Sequence, residues 1–239
     1  IVIFCLIVLA SSFSVEAIKY GAPIDPSFLL PALESQDNIE EDVGDPVYVD
    51  VAQGRLMGQV RTYNNFSFNS FEGIPFAKPP VDELRFKDPV PADPWVGVLN
   101  ATNAPSSCLQ VVVLGHEDCL YLSVFTPLDS VNQSEPLPVM YFIYGGAFVT
   151  GGSRGYRGAQ PLVSKNVILV TVNYRIGVLG FLSTEDAAAP GNQGLKDQTL
   201  GLQWVQDNIA AFGGDPQRVT IFGESAGAAS VHYQMLTPY

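Results

Sequence analysis

Residues 223–227 read Gly223-Glu224-Ser225-Ala226-Gly227. The β-branched run Val219-Thr220-Ile221-Phe222 precedes them, and a helix-compatible stretch rich in small residues comes next. A G-x-S-x-G between a strand and a helix is the context of a nucleophile elbow. Glycines two residues before and after the serine let strand and helix pack closely. Ser225 is then pushed to the tip of the turn, at the positive end of the following helix. The candidate chemistry is nucleophilic attack by its hydroxyl. The plain alternative is a glycine-rich turn carrying an ordinary surface serine.

A serine hydroxyl is a weak nucleophile at neutral pH. It needs a base to take its proton and donors to hold the oxyanion formed on attack. Tyr144-Gly145-Gly146-Ala147-Phe148 directly follows a strand-like run, Val139 to Ile143, and can turn its N–H groups toward one point. In α/β-hydrolases such a loop joins the N–H after the nucleophile, here that of Ala226. The base is not visible. His232 lies about two turns after Ser225 on the same predicted helix, about 10 Å along its axis, and cannot reach back. His116, between Gly115 and Glu117, reads as a surface residue. In this fold the order is serine, acid, histidine, so both partners are expected beyond Tyr239.

The elements that must position this chemistry are legible in outline. Val47, Val49 and Val51 alternate with Tyr48 and Asp50 in a half-buried strand. Gly54 and Gly58 mark a turn, after which Gln59 to Tyr63 returns as a hairpin. Residues 71–98 are proline-rich and read as extended loop. Leu120 to Phe125 and Val139 to Ile143 are strand-like. Val167 to Val172 suits a strand buried on both faces. Leu195, Leu202, Val205, Ile209 and Phe212 mark an amphipathic helix ended by Gly213-Gly214. Strands alternating with helices predict a largely parallel sheet covered on both faces, an α/β class.

Composition bounds the function. The chain has 239 residues, 47% of them hydrophobic, which supports a sizeable core. A net charge of −12 argues against nucleic-acid or anionic-membrane partners. Residues 1–17 read as part of a secretory signal: an apolar run, then serines, then Val15-Glu16-Ala17 with small residues at the cleavage positions. The run is too short for the ~20 residues that span a bilayer, so no membrane span is expected after cleavage. Residues 18–46 form an acidic, proline-containing arm with six carboxylates between Glu34 and Asp45, read as solvated rather than as a metal site. Residues 47–239 form the folded part. Without Cys5 of the signal, Cys108 and Cys119 remain, and an even pair in a secreted chain reads as a disulfide. Asn65, Asn100 and Asn132 each open a glycosylation sequon.

Several motifs occur in order: Phe71-Glu72-Gly73-Ile74-Pro75-Phe76-Ala77-Lys78-Pro79-Pro80, Glu117-Asp118-Cys119-Leu120-Tyr121-Leu122, the Tyr144 glycine loop, Asn173-Tyr174-Arg175-Ile176-Gly177-Val178-Leu179-Gly180-Phe181, Gly191 to Gln198, and Ala211 to Pro216. With the elbow they make the chain, from about Val47 onward, resemble the N-terminal portion of a type-B carboxylesterase. That is the family of carboxylesterases and cholinesterases, and the chain is similar in style to secreted insect esterases. The resemblance implies an α/β-hydrolase fold, a mixed, mostly parallel sheet cut off after the nucleophile helix. It implies Ser225 as the acylated nucleophile and an oxyanion hole of the Gly146, Ala147 and Ala226 N–H groups. It further implies a Cys108–Cys119 disulfide, and buried ion pairs Arg85–Glu117 and Arg175–Asp197 of structural importance.

The function implied is secreted serine hydrolysis of a small-molecule ester, needing no metal or organic cofactor. The competing reading is a non-catalytic adhesion or ligand-sequestering relative. Departures from the family pattern are Ala147 where a third glycine is frequent, and Ser123 where asparagine is usual. The resemblance implies that in cholinesterases this loop is longer and carries a tryptophan that binds the choline cation; neither Trp95 nor Trp204 lies in the Cys108–Cys119 loop, which argues against choline esters. Glu224 before the serine argues against juvenile-hormone esterases. Residues 18–239 alone are expected to be poorly soluble and inactive, with a bare sheet edge beside the Val219 strand.

Overall fold

The computed structural model describes residues 43–110, 114–153 and 158–237. The predicted signal, and the arm as far as residue 42, lie outside these. Among the described residues eight strands form one sheet: β1 (Val43–Val51), β2 (Gly54–Tyr63), β3 (Phe66–Pro75), β4 (Val98–Asn100), β5 (Tyr121–Pro127), β6 (Leu137–Ile143), β7 (Ile168–Val172) and β8 (Gly214–Gly223). The order is β1-β2-β3-β5-β7-β6-β8, with β4 beside β2. The α-helices among the described residues are α1 (Gln160–Val163), α2 (Gly177–Phe181), α3 (Gln193–Asn208) and α4 (Ala226–Leu236).

The sheet is mixed. β6 pairs in parallel with both β7 and β8, as the alternation of strands and helices predicts. β1, β2, β3 and β5 instead pair antiparallel in turn, as does β5 with β7, while the short β4 lies parallel to β2. Hairpins account for β1–β2 and β2–β3, whereas β3–β5 and β5–β7 are joined by longer connections. The β2–β3 connection is Asn64-Asn65, both at positive φ (49° and 60°). A two-residue loop of this kind matches the twist of antiparallel strands.

Boundaries differ from the expectations in several places, one being the end of α3 at Asn208, after which Ile209–Phe212 is a 3-10 turn. Strand β1 begins at Val43, inside the segment read as arm. Gly58 is not a turn residue: it lies within β2 opposite Val47, where its missing side chain makes room for Phe71. Phe71 to Pro75 is strand rather than loop, because Phe71 and Ile74 have apolar faces to bury and Pro75 stands at the strand end.

Both faces of the sheet are covered. Val124, Val139, Tyr141, Val170 and Val172 share the main core with Trp204, Val205, Ile209 and Phe212 of α3 and the turn after it. Phe71 meets Phe212 edge-on, with ring centroids 5.1 Å apart. Alternate residues Phe68, Phe125 and Leu169 point the other way, onto Ala159 and Val163 beside and within α1. All five residues of β7 are buried, as a strand covered on both sides requires. A polar seam joins α3 to α4: Gln198 Nε2 donates to Ser230 Oγ (3.0 Å), and Gln234 Nε2 donates to the Leu195 carbonyl (3.0 Å).

Candidate functional site

Strands β6 and β8 are parallel neighbours with Ile143 opposite Gly223. Their C-terminal ends, and the loops leaving them, therefore lie side by side. Open α/β sheets bind ligands outside these strand ends. The glycine loop after β6 and the Ser225 turn after β8 meet there.

The turn is sharp. Ser225 sits at φ 54° and ψ −121°, a conformation unfavourable for a residue with a Cβ. Gly227 N–H donates to the Glu224 carbonyl (2.8 Å), and Ala229 N–H donates to that of Ser225 (3.1 Å). Ser225 is exposed at the N-cap of α4, and its hydroxyl is not used as a cap. The glycines are needed for close approach. A Cβ on Gly227 would collide with the Ile143 carbonyl, and one on Gly223 would lie 2.5 Å from the Gly227 carbonyl carbon.

The glycine loop faces this turn. A Cβ on Gly145 would stand 3.0 Å from Ser225 Cβ and 2.5 Å from the Glu224 carbonyl oxygen. Gly146, Ala147 and Phe148 come next with positive φ of 101°, 54° and 61°. This run folds the loop back, so that Val149 and Thr150 N–H both donate to the Gly146 carbonyl (3.0 Å each). Among the described residues, the N–H groups of Gly146, Ala147 and Ala226 donate to no protein acceptor. The sequence singled out these three amides as candidates, and the structure leaves them available.

Neighbouring loops hold the glycine loop at several points. Tyr144 and Tyr174 stack at 4.4 Å, and each hydroxyl donates to the other's backbone carbonyl (2.9 and 2.8 Å). Burial pushes the Tyr144 phenol well above its ordinary pKa. Gly177 N–H donates to the Phe148 carbonyl (2.6 Å). Asn173 is fully buried; its Oδ1 accepts from Ser153 N–H (2.9 Å), and its Nδ2 donates to the Ser106 carbonyl (2.8 Å). Gln110 clasps Gly151 through both its amide atoms. Sequence reasoning did not find these anchors. Their only signal is the presence of Tyr-Gly-Gly and Asn-Tyr-Arg after two core strands.

Among the described residues, neither histidine makes a side-chain hydrogen bond or ion pair to Ser225 or to the glycine loop. His232 is exposed on α4, and His116 is exposed in the loop between the cysteines, where its backbone pairs with Ser107 and Leu109. Cys108 and Cys119 are joined in a disulfide. Arg175 and Asp197 form a buried pair with side-chain exposures of 4% and 0%. Asp197 accepts from Arg175 Nε (2.8 Å), Nη2 (2.7 Å) and backbone N–H (2.9 Å). Burial pushes this carboxyl up, against the pull of the guanidinium. Arg85–Glu117 is bidentate (2.6 and 3.0 Å) but partly exposed, at 37% and 24%, so the burial expected for it is not met. A pair that the sequence reading missed, Arg61–Glu72 (3.0 Å), is the more enclosed, and Ser70 Oγ also donates to Glu72 (2.8 Å). Among the described residues no group of three or more His, Cys, Asp or Glu could hold a metal ion. No helix there is long and apolar enough to cross a membrane.

Residues 45–239 match the profile of the carboxylesterase family. The chain belongs to that family. Juvenile hormone esterase of Tribolium castaneum is 50% identical over 194 residues, covering 77% of this chain and 33% of the relative. Carboxylesterase 1E of Mus musculus is 45% identical over 213 residues, covering 81% of this chain and 38% of the relative. Esterase FE4 of Myzus persicae is 47% identical over 199 residues, covering 80% and 35%. This carboxylesterase-family chain thus spans little more than a third of the length of the curated relatives it matches. The α/β-hydrolase fold expected of the family agrees with the mixed sheet and its flanking helices.

Proposed function

We propose that the protein carrying this segment is a secreted serine ester hydrolase that works through an acyl-enzyme. The observation that supports this best is the meeting of two loops at one sheet edge. They are the strained, exposed Ser225 and a glycine loop whose Gly146 and Ala147 amides, with that of Ala226, are unspent. In this reading Ser225 Oγ attacks the ester carbonyl carbon, and its proton passes to a histidine of the complete protein. The carbonyl π electrons move onto oxygen, where the three amides receive the charge. Collapse expels the alcohol, which takes the proton from the imidazole. Water then clears the acyl group by the same route. Neither His116 nor His232 serves as the base.

The substrate in this reading is a small-molecule ester. Secretion rests on the signal-like residues 1–17, the Cys108–Cys119 disulfide and the three sequons. Asn65 is exposed at the β2–β3 turn, Asn132 is exposed, and Asn100 is exposed with Oδ1 accepting from Thr102 N–H (3.1 Å) and Oγ1 (2.7 Å). Residues 1–17 as signal, an arm from residue 18 that gives way to strand β1 at Val43, and the rest as the N-terminal part of the hydrolase domain complete this reading.

The test is covalent labelling of the full-length protein with a fluorophosphonate. Wild type is expected to label and Ser225→Ala to stay blank. Equal labelling of the two would remove Ser225 from the role. No labelling of folded wild type would favour a non-catalytic binding protein.

A further inference from the structure

The glycine loop returns to its starting point at Gly151. A Cβ there would lie 2.7 Å from the Gly145 carbonyl oxygen and 2.5 Å from the Tyr144 ring, so Gly151 is packed against the base of the loop. Gln110 takes both backbone groups of this glycine. Gly151 N–H donates to Gln110 Oε1 (3.2 Å), and Gln110 Nε2 donates to the Gly151 carbonyl (2.5 Å). Two hydrogen bonds from one planar amide fix the position and tilt of the peptide they hold.

Gln110 does not come from the sheet. It stands two residues after Cys108, in the loop closed by the disulfide to Cys119. That loop is tied at its neck. Leu109 N–H donates to the His116 carbonyl (3.0 Å), Gln110 N–H to the Leu114 carbonyl (2.9 Å) and His116 N–H to the Ser107 carbonyl (3.0 Å). Among the described residues, the side-chain hydrogen bonds of Gln110 both go to Gly151.

We propose that Gln110 is a positioning residue for the oxyanion site: it pins Gly151 and thereby holds the Gly146 and Ala147 amides at the distance from Ser225 that the tetrahedral intermediate requires. This rests on the hydrolase reading of the Ser225 site. Oxyanion donors act only within about 2.7–3.1 Å of the developing charge. A displacement of about 1 Å costs on the order of a hundredfold in rate. Removing the pin loosens the loop without touching the nucleophile, the ester or the base.

The experiment uses the full-length protein as wild type, Gln110→Ala and Gln110→Glu. Active sites are first counted by fluorophosphonate labelling, and kcat and KM for an uncharged ester are then expressed per labelled site. For Gln110→Ala we expect kcat to fall about tenfold to a hundredfold with KM nearly unchanged. Inhibition by a trifluoromethyl ketone, whose adduct carries the oxyanion, should weaken in proportion. Gln110→Glu keeps the acceptor for Gly151 N–H but loses the donor, so it should fall between the two. If Gln110→Ala does not fold, Gln110→Glu decides alone. A loss of labelled sites with an unchanged rate per site would mean a purely structural role and overturn the proposal. Unchanged ketone affinity would overturn it as well. Failure of wild type to label would overturn the hydrolase reading and this inference with it, whereas a labelled wild type with unaltered Gln110 variants overturns this inference alone.

Discussion

Tyr144 and Tyr174 hold one another by exchange: each hydroxyl donates to the backbone carbonyl of the other, across rings stacked at 4.4 Å. Tyr144 is the last residue before the glycine loop. Tyr174 directly precedes Arg175, whose backbone N–H and guanidinium are both fixed by Asp197. The start of the candidate oxyanion loop is thereby tied through two tyrosines to a buried ion pair and to helix α3. Both tyrosines are buried, so the exchange is shielded from water. Tyr174→Phe would leave the Tyr144 carbonyl without its hydroxyl donor, at an expected cost of about 1–3 kcal/mol. Urea unfolding of wild type, Tyr174→Phe, Tyr144→Phe and the double variant measures it. If the two single losses simply add, the hydroxyls do not act as a unit.

Alkaline pH should attack the same place. Burial raises the phenol pKa values of Tyr144 and Tyr174, and Tyr121 is pushed up to about 12 by burial and by its hydrogen bond to Asp118. In the unfolded chain these phenols titrate near 10, roughly the reference value. Above that pH the folded state binds more protons than the unfolded state, so stability falls as pH rises. The contribution is therefore full below about pH 10 and, for Tyr121, is lost between about 10 and 12. Phenolate absorbance recorded alongside circular dichroism reads this. Ionisation of every tyrosine with no loss of structure would contradict it.

The Arg175–Asp197 pair has no solvent to fall back on. Asp197→Ala leaves a buried guanidinium whose remaining anchor is the Lys87 carbonyl, accepting from Nη1 at 2.9 Å. The expected cost is about 3–5 kcal/mol. Glu117→Ala should cost much less, because Arg85 keeps access to water. Denaturation midpoints of the two variants decide the order, and equal losses would refute it.

Backbone strain at the elbow is testable without any substrate. Ser225 holds φ 54° and ψ −121°, which glycine adopts readily. Ser225→Gly should therefore be more stable than Ser225→Ala, by about 1 kcal/mol, while both lack activity. Thermal unfolding compares them. Equal stability would mean that the turn stores no strain.

Gly145→Ala tests the spacing between the two loops. The added methyl would press on Ser225 Cβ and the Glu224 carbonyl, both of them parts of the turn itself. Labelling of Ser225 in the full-length protein should slow by about a hundredfold while far-ultraviolet dichroism is retained. An unchanged labelling rate would show that the loops have slack.

The sequence by itself determined the local parts. G-x-S-x-G after a β-branched run dictates a tight strand-to-helix turn, because only glycines leave room for it. The apolar runs mark β6, β7 and β8, and the apolar residues from Leu195 to Phe212, spaced by three to four apart from one gap of seven, mark α3 and the 3-10 turn that follows it. The ordered motifs led to the family that the profile match then showed. These features are short-range, so composition and periodicity carry them.

The tertiary structure decided what lies far apart in the chain. It set β6 beside β8, bringing Gly145 against Ser225 across some eighty residues of chain. It matched Tyr144 to Tyr174, Arg61 to Glu72 and Gln110 to Gly151. It also left Arg85–Glu117 half in water, though the motif reads no differently from that of a buried pair. Each of these depends on strand order and loop packing. A polar side chain finds its partner only once the sheet has fixed which loops become neighbours.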